Sequence, residues 1–311
     1  MYYRIMEELY EKLKKHRVRF YPGQKKRFRD LITAEFNDLG YNNITIDKAK
    51  NLIVGDVQSA KVVYTAHYDT PMLSPWFGFA KIFGQIVGGM IMGSLLMLAV
   101  AVAAGLLAEG LLSGAFFASE GTVYLNIGWW FLLLTFFIPS PGNANDNTSG
   151  VLAVYEIARR LKVQGKGEGV AFVLFNSEEF GLLGSGAFKK GLVKAAKKNG
   201  MKYEPKFLLV NFDCVGIGNE ILLAYGSGRS KEICKLMSSN FEKPVIIKRG
   251  SLFTYGSDNL HFKDNGIMVT AVKRSLLGPI YLPRIHAPLN MNIDLNTVRG
   301  ICNGAMKVHA N

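Results

Sequence analysis

Between Ile82 and Ser140 the chain carries no Lys or Arg, and its only acidic residues are Glu109 and Glu120. Such a stretch belongs in lipid or in a protein interior. From Ile82 to Ala108 the one strongly polar side chain is Gln85. A transmembrane helix needs about 20 apolar residues, so this run is long enough to cross a bilayer with some tilt. Gly84/Gly88 and Gly89/Gly93 have the small-xxx-small spacing that lets helices approach closely in lipid. The second run, Val123 to Ile138, spans roughly 24 Å as a helix, a little less than the hydrocarbon core. Tyr124, Trp129 and Trp130 suit an interface near its start, and Pro139 and Pro141 end it. The sequence therefore predicts a helical hairpin inserted over residues 82–138, crossing a membrane. The loop between the two runs has no basic residue, whereas Lys81 and the basic body lie on the other side. By the positive-inside rule the main domain, residues 1–81 and 139–311, faces the cytoplasm.

The net charge of +13 comes from that main domain. An anionic membrane surface suits it better than nucleic acid, which would require basic residues interleaved with aromatics on one face. The nearest match, "KKHRVRFYPGQKKRFR", reads as the exposed sides of helices, so no nucleic-acid partner is expected. Cys214, Cys234 and Cys302 form no CxxC pair and leave an odd thiol, which points to a reducing compartment. The N-terminus, "MYYRIMEELYEKLKKHRVRF", is charged and helical and has no apolar signal region. Nothing in the sequence sets an oligomeric state.

Outside the insert about 250 residues remain, enough for one domain. Amphipathic helices are predicted over 3–16 and 24–39. Short apolar strands "NLIVGD" and "KVVYTAH" follow. Beyond the insert come a capped helix, "NTSGVLAVYEIARRLK", and the strand "GVAFVLFN". "EEFGLLGSGAFKKGLVKAAKKNG" reads as a helix, "KFLLVNFD" and "EILLAYG" as strands, and "SKEICKLMSSNF" as a helix. "IMVTAV" is a strand and "DLNTVRGICNGAMKVH" a closing helix. This alternation predicts an α/β fold, a three-layer α/β/α arrangement around a mostly parallel mixed sheet.

In open α/β sheets ligands gather at the carboxyl ends of strands. Acidic and imidazole residues cluster there. His67 and Asp69 close "VVYTAHYD", Glu178 and Glu179 follow "AFVLFN", and Asp213 ends "FLLVNFD". Asp146 in "GNANDNTSG" opens a helix, and His286 lies in "YLPRIHAPLN". Each alone is an ordinary turn, cap or surface residue; the set makes a di-metal hydrolase site. Zn²⁺ takes imidazole and carboxylate ligands and leaves a position for water. His67, Asp146 and Asp213 can serve one ion, and Asp146, Glu179 and His286 the other. Asp69 would hold the His67 imidazole in its tautomer. Glu178, next to a ligand, stands where a general base belongs, to take a proton from water and pass it to the leaving amine. Co²⁺ or Mn²⁺ can occupy the same ligands.

"AHYDT", "NDNTSG", "NSEEFGLLGS", "NFD" and the late "IH" resemble the co-catalytic di-zinc aminopeptidase family of bacterial leucyl aminopeptidase and aminopeptidase Y. The resemblance runs from about residue 20 onward, apart from the insert. It implies an α/β/α fold with a mixed sheet, the ligand roles above, two zinc ions, and a strained, often cis, peptide after Asp146. It also implies a peptide substrate that loses its N-terminal residue, although some members of the family are carboxypeptidases and others cyclise N-terminal glutamine. Two departures touch the substrate side. "HAPLNMN" stands where the family commonly has "HTPxDT", and Asn259 follows Ser-Asp where many members carry histidine, with His261 close by. The expected activity is a membrane-associated zinc aminopeptidase. A glutaminyl cyclase on one zinc ion is the alternative, and a non-catalytic membrane scaffold is disfavoured because no ligand is missing.

Overall fold

A computed structural model of the chain describes residues 2–72, 78–84, 138–251, 254–285 and 290–309, with a few positions between 87 and 105. Among the described residues no helix is long and apolar enough to cross a membrane. The expected hairpin over 82–138 falls mainly outside those residues, as does His286.

Nine strands build one mixed sheet: β1 (Ile44–Ile46), β2 (Leu52–Val54), β3 (Val62–His67), β4 (Val170–Phe175), β5 (Leu208–Phe212), β6 (Glu220–Tyr225), β7 (Val245–Arg249), β8 (Gly266–Arg274) and β9 (Ile280–Tyr281). Their spatial order is β1-β2-β4-β3-β5-β8-β6-β7, with β9 paired to β8. The centre, β4-β3-β5-β8, is parallel. Antiparallel pairings flank it, β2 on β4 and β6 on β8.

The central strands are mostly apolar, as strands buried on both faces are, with Thr65 and Asn211 as buried polar positions. β3 and β4 are buried at every position. On one face Tyr64, Phe172, Val210 and Phe212 pack against the helices Tyr2–Lys14, Pro22–Asp38, Ser149–Val163 and Leu295–Met306. Phe172, Tyr64 and Phe212 stack across three strands with centroids 6.2 and 5.9 Å apart. The Tyr64 hydroxyl donates to the Ala305 carbonyl (3.1 Å) and so fixes the last helix. On the other face Val63, Ala171, Val173 and Leu209 pack against Phe188 of the helix Leu183–Lys198 and against Phe262.

Three local features depart from the sequence reading. The chain over 177–182 is a turn, and helix begins only at Leu183, so Glu178 and Glu179 occupy a loop. The strands β1, β7 and β9 lie in stretches assigned no element; β1 and β9 are very short, and β7 is half exposed, which leaves no periodic signal. Third, the basic residues expected on exposed helix faces are not all exposed, because Arg19, Lys25 and Arg29 are buried.

The excursion that separates β3 from the helix Ser149–Val163 has a closed stem. Met72 and Pro139 form an antiparallel bridge, and Ser140 N–H donates to the Pro71 carbonyl (2.9 Å). Beyond the stem the short helix Gly78–Phe83 lies against the turn after β8. Leu276 and Leu277 N–H groups there donate to the Lys81 and Ile82 carbonyls (3.2 and 3.3 Å).

Candidate metal centre

Three adjacent parallel strands deliver the site. β3 ends in His67, with Asp69 two residues on; the loop after β4 carries Glu178 and Glu179; and Asp213 follows β5 directly. The fourth contributor, Asp146, sits in the turn Ala144–Thr148, and the Asp146–Asn147 peptide bond is cis. Asn147 sews this turn to the end of β5. Its Nδ2 donates to the Phe212 carbonyl (2.9 Å), and its Oδ1 accepts from Cys214 N–H (3.2 Å) and Gly150 N–H (3.0 Å). A Cβ at Gly150 would collide with the Asn147 amide and the Phe212 carbonyl, so only glycine permits this approach. Thr148 precedes the helix in a helical backbone conformation without capping it, and its hydroxyl accepts from Arg19.

The structure brings His67, Asp146 and Asp213 together. His67 Nε2 lies 3.2 Å from Asp146 Oδ1 and 3.7 Å from Asp213 Oδ1. One donor atom from each of these three lies within 4.8 Å of the others, and so do atoms of His67, Glu178 and Glu179. Asp69 has a broader part than holding the imidazole. Its carboxylate accepts from the backbone N–H of Glu178 (3.0 Å) and of Glu179 (3.2 Å), so it orients the glutamate loop. Its Oδ1 is 3.6 Å from His67 Nδ1, and its backbone carbonyl is 3.3 Å from the same nitrogen.

Burial alone would lower the His67 pKa. The charge of Glu178 and the contacts with Asp146, Asp213 and Asp69 outweigh it and raise the pKa well above the ordinary value. Burial pushes the Glu178 carboxyl well up; His67 opposes this, while Glu179, Asp213 and Asp258 add to it. Asp258 is pushed up to about 7, chiefly by burial. The donor set fits a divalent cation on its own chemistry. One imidazole and several carboxylates crowd a space from which water is largely excluded, and such an arrangement calls for compensating positive charge.

A chain of buried side chains reaches Glu178 from the sheet. Thr65 Oγ1 donates to Asn211 Oδ1 (2.8 Å), Asn211 Nδ2 donates to Ser257 Oγ (3.1 Å), and Ser257 Oγ donates to Glu178 Oε1 (3.1 Å). The Asn211 amide is oriented by Thr65, which leaves the Ser257 hydroxyl to donate to the carboxylates beside it, Glu178 and Asp213. Sequence reasoning missed Asn211 and gave Ser257 and Asp258 no role, although "GSDN" stood out as a motif. Asn259 accepts from Ser257 N–H (3.2 Å). His261 does not join the cluster; its ring lies 3.2 Å from the Leu182 carbonyl.

An imidazole held among carboxylates at the carboxyl ends of parallel strands is the arrangement of a metallohydrolase. The sequence pattern of peptidase family M28 matches residues 132–297, more than half of the chain, and the chain belongs to that family. No curated protein is significantly similar to it in sequence. Among solved structures it is similar to the LapA aminopeptidase of Legionella pneumophila, with a TM-score of 0.61 and 14% identity over 98% of this chain and 68% of that one. A Zn-dependent exopeptidase from Parabacteroides distasonis gives a TM-score of 0.59 and 15% identity over 97% of this chain and 95% of that one. The glutaminyl cyclase of Porphyromonas gingivalis gives 0.60 and 15% over the same shares. At such identities the likeness establishes the fold.

Proposed function

We propose that the protein is a zinc-dependent aminopeptidase that removes N-terminal residues from peptides. The observation that carries this reading is the approach of His67 Nε2 to both Asp146 and Asp213, with Glu178 held beside them by Ser257. His67, Asp146 and Asp213 would hold one ion, and Asp146 and Glu179, with His286, a second. Bound zinc polarises a scissile carbonyl and acidifies water. Glu178, held beside the cluster by Ser257, accepts the proton of the attacking water and delivers it to the departing amine nitrogen. Asp69 keeps the glutamate loop in place while this happens.

The reading is tested by metal analysis of the purified chain beside a panel of aminoacyl chromogenic substrates. Glu178→Gln is expected to lower kcat by about 10²–10⁴ while metal content is unchanged. Full activity in that variant would remove Glu178 from the chemistry.

Cyclisation of N-terminal glutamine is the second reading. It is favoured by the near-complete span of the Porphyromonas gingivalis cyclase that this chain matches. A glutamine-initiated peptide and a metal stoichiometry of one rather than two would select it.

We further propose that the domain is tethered to a membrane through the insert over 82–138, with the catalytic mouth at the cytoplasmic surface. Support comes from the uncharged sequence of the insert and from its stem beside His67. It also comes from Leu276 and Leu277, 77% and 66% exposed, on the turn bonded to Lys81 and Ile82. An apolar turn displayed where the uncharged run begins suits the bilayer boundary. Partition of the full-length chain between membrane and soluble fractions after an alkaline wash decides this point.

A further inference from the structure

His67 and Asp146 must meet although the whole insert separates them in sequence. Asp146 is tied to Asp213 by Asn147, but no sheet pairing joins the end of β3 to the Asp146 turn. Besides the Met72–Pro139 bridge and the Ser140–Pro71 bond at the base of the excursion, a short piece of chain from the N-terminal region joins the two arms. The Arg19 guanidinium is fully buried. Its Nε donates to the carbonyl of Tyr68, the residue between His67 and Asp69. Its Nη1 donates to Thr148 Oγ1 (3.0 Å), two residues past Asp146, and also to the His16 carbonyl (3.2 Å). The backbone N–H of Arg19 donates to Thr70 Oγ1 (3.0 Å), and the Arg17 carbonyl accepts from Asn143 Nδ2. Residues 17–19 thus grip both arms of the loop that the insert divides.

We propose that Arg19 is a positioning residue of the metal centre: its planar fork staples the β3 terminus to the Asp146 turn and so sets the separation of His67 from Asp146. The proposal rests on the reading of the cluster as a metal site. Three features favour geometry over charge as the reason for this residue. The fork bonds three neutral groups, the carbonyls of Tyr68 and His16 and the Thr148 hydroxyl, while the charges of Asp69 and Asp146 act on it without a direct bond. The ring of Phe28 lies 4.7 Å from the guanidinium carbon, and Phe28 in turn stacks on Tyr68 with centroids 5.6 Å apart, so the plane of the fork is held from the side as well. Nη2 has no hydrogen-bond partner among the described residues, so the guanidinium is buried without full use of its donors. A lysine ammonium could carry the charge into this position but could not span both arms with a rigid geometry.

The test is metal affinity of the full-length protein, measured by competition of Zn²⁺ with a chromogenic chelator, with the visible spectrum of the Co²⁺ form alongside. Groups that orient metal ligands typically change affinity by about 10–100-fold when removed. Arg19→Met is expected to weaken binding within that range, and Arg19→Lys, which keeps the charge, by about 10-fold with an altered Co²⁺ spectrum. Thr148→Val removes one arm of the staple. It is expected to weaken binding in the same direction while the Tm of the metal-free protein stays at the wild-type value. This third variant decides the matter should Arg19→Met fail to fold. Wild-type affinity and spectrum in both Arg19→Lys and Thr148→Val would overturn the staple while leaving the metal site intact. Absence of metal binding by the wild type would overturn the metal site and the staple together.

Discussion

Glu178 is held by the Ser257 hydroxyl at one oxygen and by the Asp69 carboxylate at its backbone N–H. The direction of the first bond is set two side chains away, at Thr65. Thr65→Val leaves the Asn211 amide free to turn, so Ser257 can donate toward Asn211 instead of Glu178. The expected outcome is a fall in kcat of about 10-fold with little change in KM, since the lost bond is worth roughly 1–1.5 kcal/mol. Steady-state kinetics on one aminoacyl substrate, with metal content checked, measures it. At this scale the candidate acidic ligands could be read from sequence because each follows a strand or precedes a helix, and those positions have local signatures. Arg19 could not. A buried cation and an exposed one look alike in a basic run, and what distinguishes them here is contact with Tyr68 and Thr148, which are remote in sequence.

The helix Ser149–Val163 joins the candidate metal centre to the rest of the domain. Its first turn packs under Asp146, and it carries a buried ion cluster nearer its C-terminal end. Glu156 accepts two bonds from Arg159 (2.8 and 2.9 Å) and one from Arg160 (2.5 Å). Burial would raise its pKa, but the two arginines outweigh this and hold it below the ordinary glutamate value. A folded-state pKa below the unfolded one stabilises the fold above the unfolded value, and that stability is lost as pH falls through the folded value. Glu156→Gln is therefore expected to cost about 3 kcal/mol near neutrality, with two arginines left without their counter-charge. The gap between variant and wild type should close below about pH 4. Denaturant melts of the metal-free protein across pH follow it. The long, periodic helices and mostly apolar central strands were legible in the sequence, because periodicity and burial agree there. β1, with three residues, and β7, with its half-exposed pattern, were not, since neighbouring strands rather than their own residues define them.

For the whole molecule, the insert is an excursion from a closed stem. Joining residue 72 to residue 139 by a short Gly-Ser linker is expected to leave a folded domain that stays in solution without detergent and binds metal as the full chain does. Size-exclusion chromatography and metal analysis would show it; aggregation or loss of metal would mean that the excised residues complete the core. The paired backbones of Met72 and Pro139 also bear on what the centre feels. A tug on the excursion meets the Leu276–Lys81 and Leu277–Ile82 bonds on one arm and the clasp at the base before it can spread His67 from Asp146. Segments of quite different length could hang from the same clasp at small entropic cost, with the chemistry below it undisturbed.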